Sequence, residues 1–413
     1  MSVLLNFEGK RLAFTTASSS PLSSSHYFPE LTKESLDQNI LMRGDNLQGL
    51  KILNHLQKKF HFIYIDPPYN TGKKFSYQDF QTANNKKSHD LWLSMIFSRL
   101  LLTKEILLPN GIFFISIDER EYSYLSVLVH EVFGRENHIG TIKWRKKRKP
   151  SFLNKHLSQT IEYILVIAKD HLFLPKLLGS KNSEKTRPVL NSSNSLSQRF
   201  LRKGTQAYCE AKTYPPGIYK NRSLAFELLD SAVIAQGHLQ NEVRVKGNFR
   251  VNQEILDSHV FITKHFGLRR TLSEKETAHI KQATDDGTVD WPTNEDAQAE
   301  LIKIFQADLF PFSKPVGLIL KLLDMYPVAS TDTPTYCLDY FAGSGTLAHA
   351  VYLKNAALKK NQYHFCCIQD ESLLLTAQAK DLRFKTNADI TQYRIQAIEE
   401  RLNPKHRCKI FSL

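Results

Sequence analysis

The 413-residue sequence has few cysteines and no long apolar run. Cys209, Cys337, Cys366, Cys367 and Cys408 are an odd set without a CxxC pair, which argues against a disulfide framework or a zinc ribbon. No stretch reaches the roughly 20 apolar residues that cross a bilayer. The opening MSVLLNFEGKRLAF lacks a sustained apolar core and a small-residue cleavage site. The expectation is a cytoplasmic protein with reduced thiols and no membrane partner. His61, His89 and His349 have no ligand-spaced partners, so no metal is expected and each reads as structural or exposed.

Acidic residues are also in deficit, with 41 Asp and Glu against 55 Lys and Arg and a formal net charge of +14. That balance suits a polyanionic partner, although nucleic acid, anionic membrane and simple solubility satisfy it equally. The length suits two or three structural units. Thr15 to Ser25 is serine- and threonine-rich without periodicity and reads as part of a flexible arm over residues 1–30. Over 31–168 strand and helix alternate. His61 to Ile65 is a buried strand ending at Asp66, and Asp90 caps a helix from Leu91 to Leu108 that Pro109, Asn110 and Gly111 end. Ile112 to Ile117 and Ile161 to Ala168 read as strands flanking a helix from Tyr122 to Phe133, the pattern of a parallel α/β sheet. From 169 to 307 the pattern dissolves into polar stretches, as expected of an insertion. It returns over 308–385 with a helix from Pro315 to Met325, a strand around Tyr336 to Asp339, a helix from Thr346 to Leu358 and a strand from Tyr363 to Ile368. The segment 386–413 supplies a closing helix from Gln392 to Leu402 and a tail.

Two turns carry chemistry. Asp66, Pro67, Pro68 and Tyr69 follow an apolar strand. An aromatic exocyclic amine is a poor nucleophile because its lone pair is delocalised into the ring. A carboxylate and a backbone carbonyl, aimed by a proline-locked turn at the two amine hydrogens, draw that lone pair out of conjugation. Tyr69 offers a flat face on which a base stacks. The plainer reading is a rigid turn with a helix-capping aspartate. The second turn, Asp339 to Thr346 (DYFAGSGT), joins a strand to a helix. Its glycines admit a ligand close to the backbone, and it matches neither the GxGxxG nor the Walker pattern. It reads as a nucleotide-type pocket with no pyrophosphate requirement.

DPPYNTG early and DYFAGSGT late resemble the β-group amino-methyltransferases of DNA, in which the catalytic motif precedes the cofactor motif and a target-recognition insertion separates them. Arg43 to Leu50 (RGDNLQGL), Phe114 to Asp118 (FISID) and Phe312 to Pro315 (FSKP) resemble further motifs of that group, and the run through EVFGREN is most similar to the modification subunits of type III restriction systems. The resemblance implies a Rossmann-like S-adenosylmethionine-dependent methyltransferase sheet in circularly permuted motif order. It makes 31–168 the catalytic half, 169–307 the target-recognition insertion and 308–385 the cofactor-binding half. It further implies that Asp66, Pro67, Pro68 and Tyr69 form the catalytic turn, and that Asp45, Asn46, Lys314, Asp339, Phe341, Gly343 and Gly345 line the cofactor site. Gln369 and the following Asp370 stand where the group commonly places one acidic ribose contact, so either serves. Leu347 departs from the Thr that often follows GSGT, and type III subunits tend to be longer than this chain. Asp at the head of the catalytic turn resembles the adenine-specific members.

The reaction so implied is site-specific methylation of the adenine amine in double-stranded DNA by base flipping, in a restriction-modification system or as an orphan enzyme. A homodimer and a restriction subunit are the partners the resemblance suggests. Arg145 to Lys149 (RKKRK), after Lys143 and Trp144, is the densest basic run, and Lys143, Arg145, Lys146, Lys147 and Arg148 read as phosphate contacts. Lys246, Arg250, Arg269 and Arg270 lie in the insertion, where they are candidates for bases or phosphates. Trp92 reads as core. The competing readings are an inactive DNA-binding subunit, or methylation of cytosine amine, RNA or a protein amide.

Overall fold

The computed structural model describes residues 4–20, 31–32, 34–70, 88–150, 157–181, 186–221, 224–273, 280–307, 309–310, 313–327, 333–373 and 384–413. Contacts divide the chain into a first unit, residues 1–178 with 283–413, and a second, residues 179–282. In chain order the first unit contains α1 (Lys10–Ser18), β1 (Ile40–Arg43), α2 (Asn46–His55), β2 (Phe60–Ile65), α3 (Ser88–Ile106), β3 (Leu107–Ile117), α4 (Glu119–Phe133), β4 (His138–Arg145) and β5 (Ile161–Ala168). After the second unit come β6 (Asp286–Gly287), α5 (Asn294–Phe305), α6 (Val316–Met325), β7 (Thr335–Asp339), α7 (Thr346–Leu358), β8 (Tyr363–Gln369), α8 (Asn387–Leu402) and β9 (Lys409–Ser412).

Among the described residues, nine strands form one sheet in the order β6-β4-β5-β3-β2-β7-β8-β1-β9. From β3 through β9 every neighbouring pair is parallel, whereas β5 runs against both β3 and β4. Helices cover both faces, so the central strands are apolar along nearly their whole length. Residues of α2, α3 and α4, Trp92 among them, fill one face with Phe113 of β3, and those of α6, α7 and α8 fill the other with Trp144 of β4. Local chemistry starts several helices: Asp45 accepts from the Gln48 amide at 2.9 Å to cap α2, and Thr386 with Asp389 forms a capping box on α8.

The alternating α/β sheet matches the sequence reading, with corrections at its margins. Part of the arm expected to be flexible is the helix α1, which buries Ala13 and Ala17. Asp90 lies in the first turn of α3 and does not cap it, because the helix starts at Ser88. Pro109 to Gly111 fall within β3, where its register with β2 jumps from Phe60–Leu107 to Phe62–Ile112. A bulge there tolerates a residue without an amide donor. β4 was not anticipated, and β5 is antiparallel where a parallel strand was expected. The separate unit is also narrower than 169–307: β6 joins β4, and α5 belongs to the first unit.

The second unit is built almost wholly from strands of two to five residues. Residues 197–201, 217–221, 224–228 and 243–247 form a four-stranded antiparallel sheet, and a seven-stranded sheet accompanies it. Phe226, Leu228, Val243, Val245 and Phe266 are in their shared core. At its base, residues 178–181 pair with 280–282 so closely that a Cβ on Gly179 would lie 2.5 Å from the Gln282 carbonyl oxygen. Among the described residues no helix is long and apolar enough to cross a membrane, and all five cysteines are free.

Phe113 is fully buried on β3, against Phe133 at 6.0 Å between ring centroids. Phe113→Ala is expected to remove about 3–5 kcal/mol of stability. A urea melt with an unchanged midpoint would contradict the central place given to this strand.

Candidate active site

β2 and β7 are parallel neighbours, with Ile63 opposite Leu338. The residues after each strand therefore emerge on the same edge of the sheet: Asp66 to Tyr69 after β2, and Tyr340 to Gly345 after β7. β1 and β8, paired with Arg43 opposite Gln369, bring Asp45 and Asn46 and then Asp370 to that edge. Such a carboxyl edge is where open α/β sheets bind ligands.

The two prolines lock the first turn and remove two amide donors. Nε1 of Trp92, which is fully buried in α3, donates to the Pro68 carbonyl at 2.7 Å. Trp92 is core, as expected, and it also anchors the turn. With the Pro68 carbonyl engaged, the carbonyls of Asp66 and Pro67 are the turn's other backbone acceptors before Tyr69. The Tyr69 hydroxyl donates to Asp66 Oδ1 at 2.8 Å and lies 3.2 Å from Glu162 Oε2.

Lys314 ties this turn to the glycine turn. Its ammonium donates to Asp66 Oδ2 at 2.7 Å and to the Tyr69 hydroxyl at 3.1 Å, and sits 3.4 Å from Glu162 Oε2. Its carbonyl accepts from Thr346 Oγ1 at 3.2 Å, while the neighbouring Ser313 hydroxyl lies 2.7 Å from that of Ser344. Lys314, expected on the cofactor side, thus points its charge at the turn of Asp66 to Tyr69; Phe312 lies outside the described residues. Glu162 was not singled out from the sequence, and Lys146 donates to its other oxygen at 3.1 Å. Enclosure pushes the Asp66 carboxyl above its ordinary range, with Lys314 opposing and Glu162 reinforcing that shift. Burial also disfavours ionised Glu162, but Lys314 and Lys146 outweigh it and leave that carboxyl below its usual range. Burial works against the Lys314 charge too, yet Asp66 and Glu162 more than restore it, so the ammonium is held.

In the second turn Gly343 (φ 55°) and Gly345 (φ 81°) adopt left-handed conformations that disfavour a side chain. The Gly343 amide donates to Gln369 Oε1 at 2.6 Å, and its carbonyl accepts from Thr391 Oγ1 at 2.6 Å. Gln369 in turn donates to Asp370, so the two candidate ribose contacts form one connected pair at the turn. Beneath lies Arg394 of α8, fully buried, which donates to Ser344 Oγ at 2.6 Å and Thr346 Oγ1 at 3.2 Å. Burial brings this guanidinium down to about 10. Asp339 is buried, accepts from the Phe341 amide at 3.0 Å, and has its carboxyl pushed well up by burial. Asn46 donates to the Tyr340 carbonyl at 2.6 Å and accepts from buried Arg99 at 2.7 Å, which also faces Asp45 at 3.6 Å. Arg99 and Arg394, both missed in the sequence, brace from within the residues expected at the cofactor. Among the described residues no group of three or more His, Cys, Asp or Glu is gathered to hold a metal ion.

The proposed DNA contacts separate into exposed and committed side chains. Lys143 and Arg145 are exposed and Lys147 is partly so; Lys146 is drawn in to Glu162, while Arg148 pairs with Asp296 at 2.5 Å yet stays exposed. In the second unit Lys246 and Arg250 are exposed. Arg270 is only 7 % exposed, and the Arg269 guanidinium bonds the Thr186 carbonyl at 2.9 Å, so both are occupied in that unit's own packing.

Residues 60–357, more than half of the chain, match the family model described as DNA methylase. The chain is 26 % identical over 402 residues to the StyLTI Mod subunit of a type III restriction-modification enzyme from Salmonella typhimurium, covering 90 % of this chain but 58 % of that protein. It is 29 % identical over 450 residues to the EcoPI Mod subunit from Escherichia phage P1, covering 96 % of this chain and 68 % of that one. It is 26 % identical over 392 residues to the type II methyltransferase M.KpnI from Klebsiella pneumoniae, with 86 % and 87 % covered.

Trp92→Phe removes the donor to Pro68 together with part of a fully buried ring. Orphaning that carbonyl is expected to lower stability by about 1–3 kcal/mol. An unaltered urea midpoint would show that the turn does not depend on this bond.

Proposed function

The chain belongs to the DNA methylase family, and from that premise we propose that it transfers the methyl group of S-adenosylmethionine to the exocyclic amine of adenine at a specific site in double-stranded DNA. The observation that carries this reading is the meeting of two turns on one sheet edge, after the parallel neighbours β2 and β7, with Lys314 joined to both. A carboxylate aimed by a rigid turn has the glycine turn beside it.

The residues present suit that cofactor. Its sulfonium and ammonium outnumber its single carboxylate, and the edge is acidic, with Asp45, Asp339 and Asp370 beside the amides Asn46 and Gln369. These residues, with Phe341 and the backbone of Gly343 and Gly345, would hold it. When bound, it supplies a methyl group on a sulfonium. The chain's own task is to present the amine. Asp66 and a backbone carbonyl of Asp66 or Pro67 accept its two hydrogens and draw the lone pair from the ring, while Tyr69 stacks on the extruded base. Flipping costs a few kcal/mol, which stacking and backbone contacts offset. Much of the acceleration comes from alignment, since the transfer is an in-line displacement.

Aspartate at the head of the turn favours adenine over cytosine. The second unit acts as the target-recognition region, with Lys246 and Arg250 as its candidate contacts, and Lys143, Arg145 and Lys147 steady the phosphates near the catalytic turn. The Mod-subunit relatives support a place in a restriction-modification system. Association with a restriction subunit and with a second copy of this chain belongs to the same proposal.

Incubation with methyl-labelled S-adenosylmethionine and mixed duplex DNA, followed by nucleoside analysis, is expected to place the label on adenine; label on cytosine, or on RNA alone, would overturn the substrate assignment. Asp66→Ala should lower the rate by about 10²–10⁴-fold. Because Asp66 must be ionised to accept from the amine and its carboxyl is held above the ordinary value, activity should rise with pH through a midpoint above that of a free aspartate. A kcat profile flat down to the ordinary aspartate range would contradict this role.

A further inference from the structure

Both oxygens of Asp66 are already engaged, Oδ1 by the Tyr69 hydroxyl and Oδ2 by the Lys314 ammonium. That ammonium also lies 5.2 Å from the centre of the Tyr69 ring and 5.7 Å from that of Trp144. It is a nitrogen donor at the hydroxyl end of the Tyr69 ring, hydrogen-bonded to the carboxylate as an adenine amine must be. A neutral base cannot take that station unless Lys314 yields it, and a buried ammonium cannot simply be left unpaired.

Glu162 answers this requirement. It projects from β5, is 4 % exposed, and its Oε2 lies 3.4 Å from the Lys314 ammonium and 3.2 Å from the Tyr69 hydroxyl. The two groups that occupy Asp66 therefore share a second acceptor already within reach. Lys146 holds the other oxygen and keeps the carboxylate oriented. We propose that Glu162 is a positioning residue of the methyl-transfer reaction, receiving the Lys314 ammonium and the Tyr69 hydroxyl when the target base enters and so freeing Asp66 for the amine.

The proposal rests on the function assigned above. The charged and titratable groups around Asp66 are Lys314, Glu162 and Tyr69, with Tyr64 of β2 and Asp339 of β7 behind them. Around Glu162 they are Lys314 before α6, Lys146 after β4, and Tyr69 and Tyr64 from β2 and its turn. Trp144 lies opposite Glu162 on β4. Two opposite effects on the carboxyl follow. Glu162→Gln leaves Lys314 as the main charge on Asp66 and eases its ionisation, whereas Lys314→Met leaves Glu162 and hinders it.

The test uses the full chain and single-turnover methylation of duplex DNA with labelled S-adenosylmethionine. Glu162→Gln is expected to slow transfer on the order of a hundredfold while cofactor affinity stays within about twofold. Its acid limb should move to lower pH and that of Lys314→Met to higher pH, with Glu162→Asp recovering part of the rate. A wild-type rate in Glu162→Gln, limbs that move together, or a loss confined to cofactor affinity would overturn the proposal. A urea-melt double-mutant cycle over Glu162 and Lys314 needs no turnover, and zero coupling would also overturn it. If the unaltered chain labels no DNA while the cycle shows coupling, the assigned function has failed and the role of Glu162 in transfer falls with it; a failure confined to the Glu162 variants leaves that function standing.

Discussion

A buried ammonium shared by two carboxylates holds the candidate site together. Removing a charge from water costs several kcal/mol even after relaxation, and the cost is met only where partners of opposite sign stand close. Here the signs alternate through Asp66, Lys314, Glu162 and Lys146, and the Tyr69 hydroxyl spans the two acids. These residues come from the end of β2, the approach to α6, the start of β5 and the end of β4. The arrangement exists only when distant parts of the chain have assembled into one sheet. Removing Lys314 strips Asp66 of its cation, and removing Glu162 strips Lys146 of its anion.

Strand order explains why these parts meet. The chain leaves β1, passes over two positions and lays down β2; β7 and β8 later fill the gap. The turn after β2 consequently finds the glycine turn as its neighbour, although most of the chain separates them in sequence. Their proximity depends on the sheet register and on the short bridge through Ser313 and Lys314. Arg99 and Arg394 complete the support, each a buried cation whose hydrogen bonds set the shape of a loop above it.

Much of this was legible in the residues. The apolar run into Asp66 and the helix after Gly345 gave their positions away through periodicity and turn chemistry, and α7 and β5 carry the bounds expected of them. Less could be read where a segment is short or half-exposed. β4 alternates buried and exposed positions along only part of its length, and the strands of the second unit hold too few residues to establish a period. Glu162 was hidden because the apolar residues around it mark the strand as core. The available signal was its charge, since an ionisable group in a buried strand requires a partner. No pattern rule distinguishes Arg269 and Arg270, occupied within their unit, from exposed Lys246 and Arg250; burial separates them only after folding.

The closed base of the second unit has its own consequence. Residues 178–181 and 280–282 run side by side, and the Ala283 amide reaches the Leu177 carbonyl at 3.2 Å, so the polypeptide departs and comes home through one doorway. The entropic cost of closing a loop grows only with the logarithm of its length. The hundred or so residues beyond that doorway are thus free to be traded for others of different size and sequence while the jambs stay put.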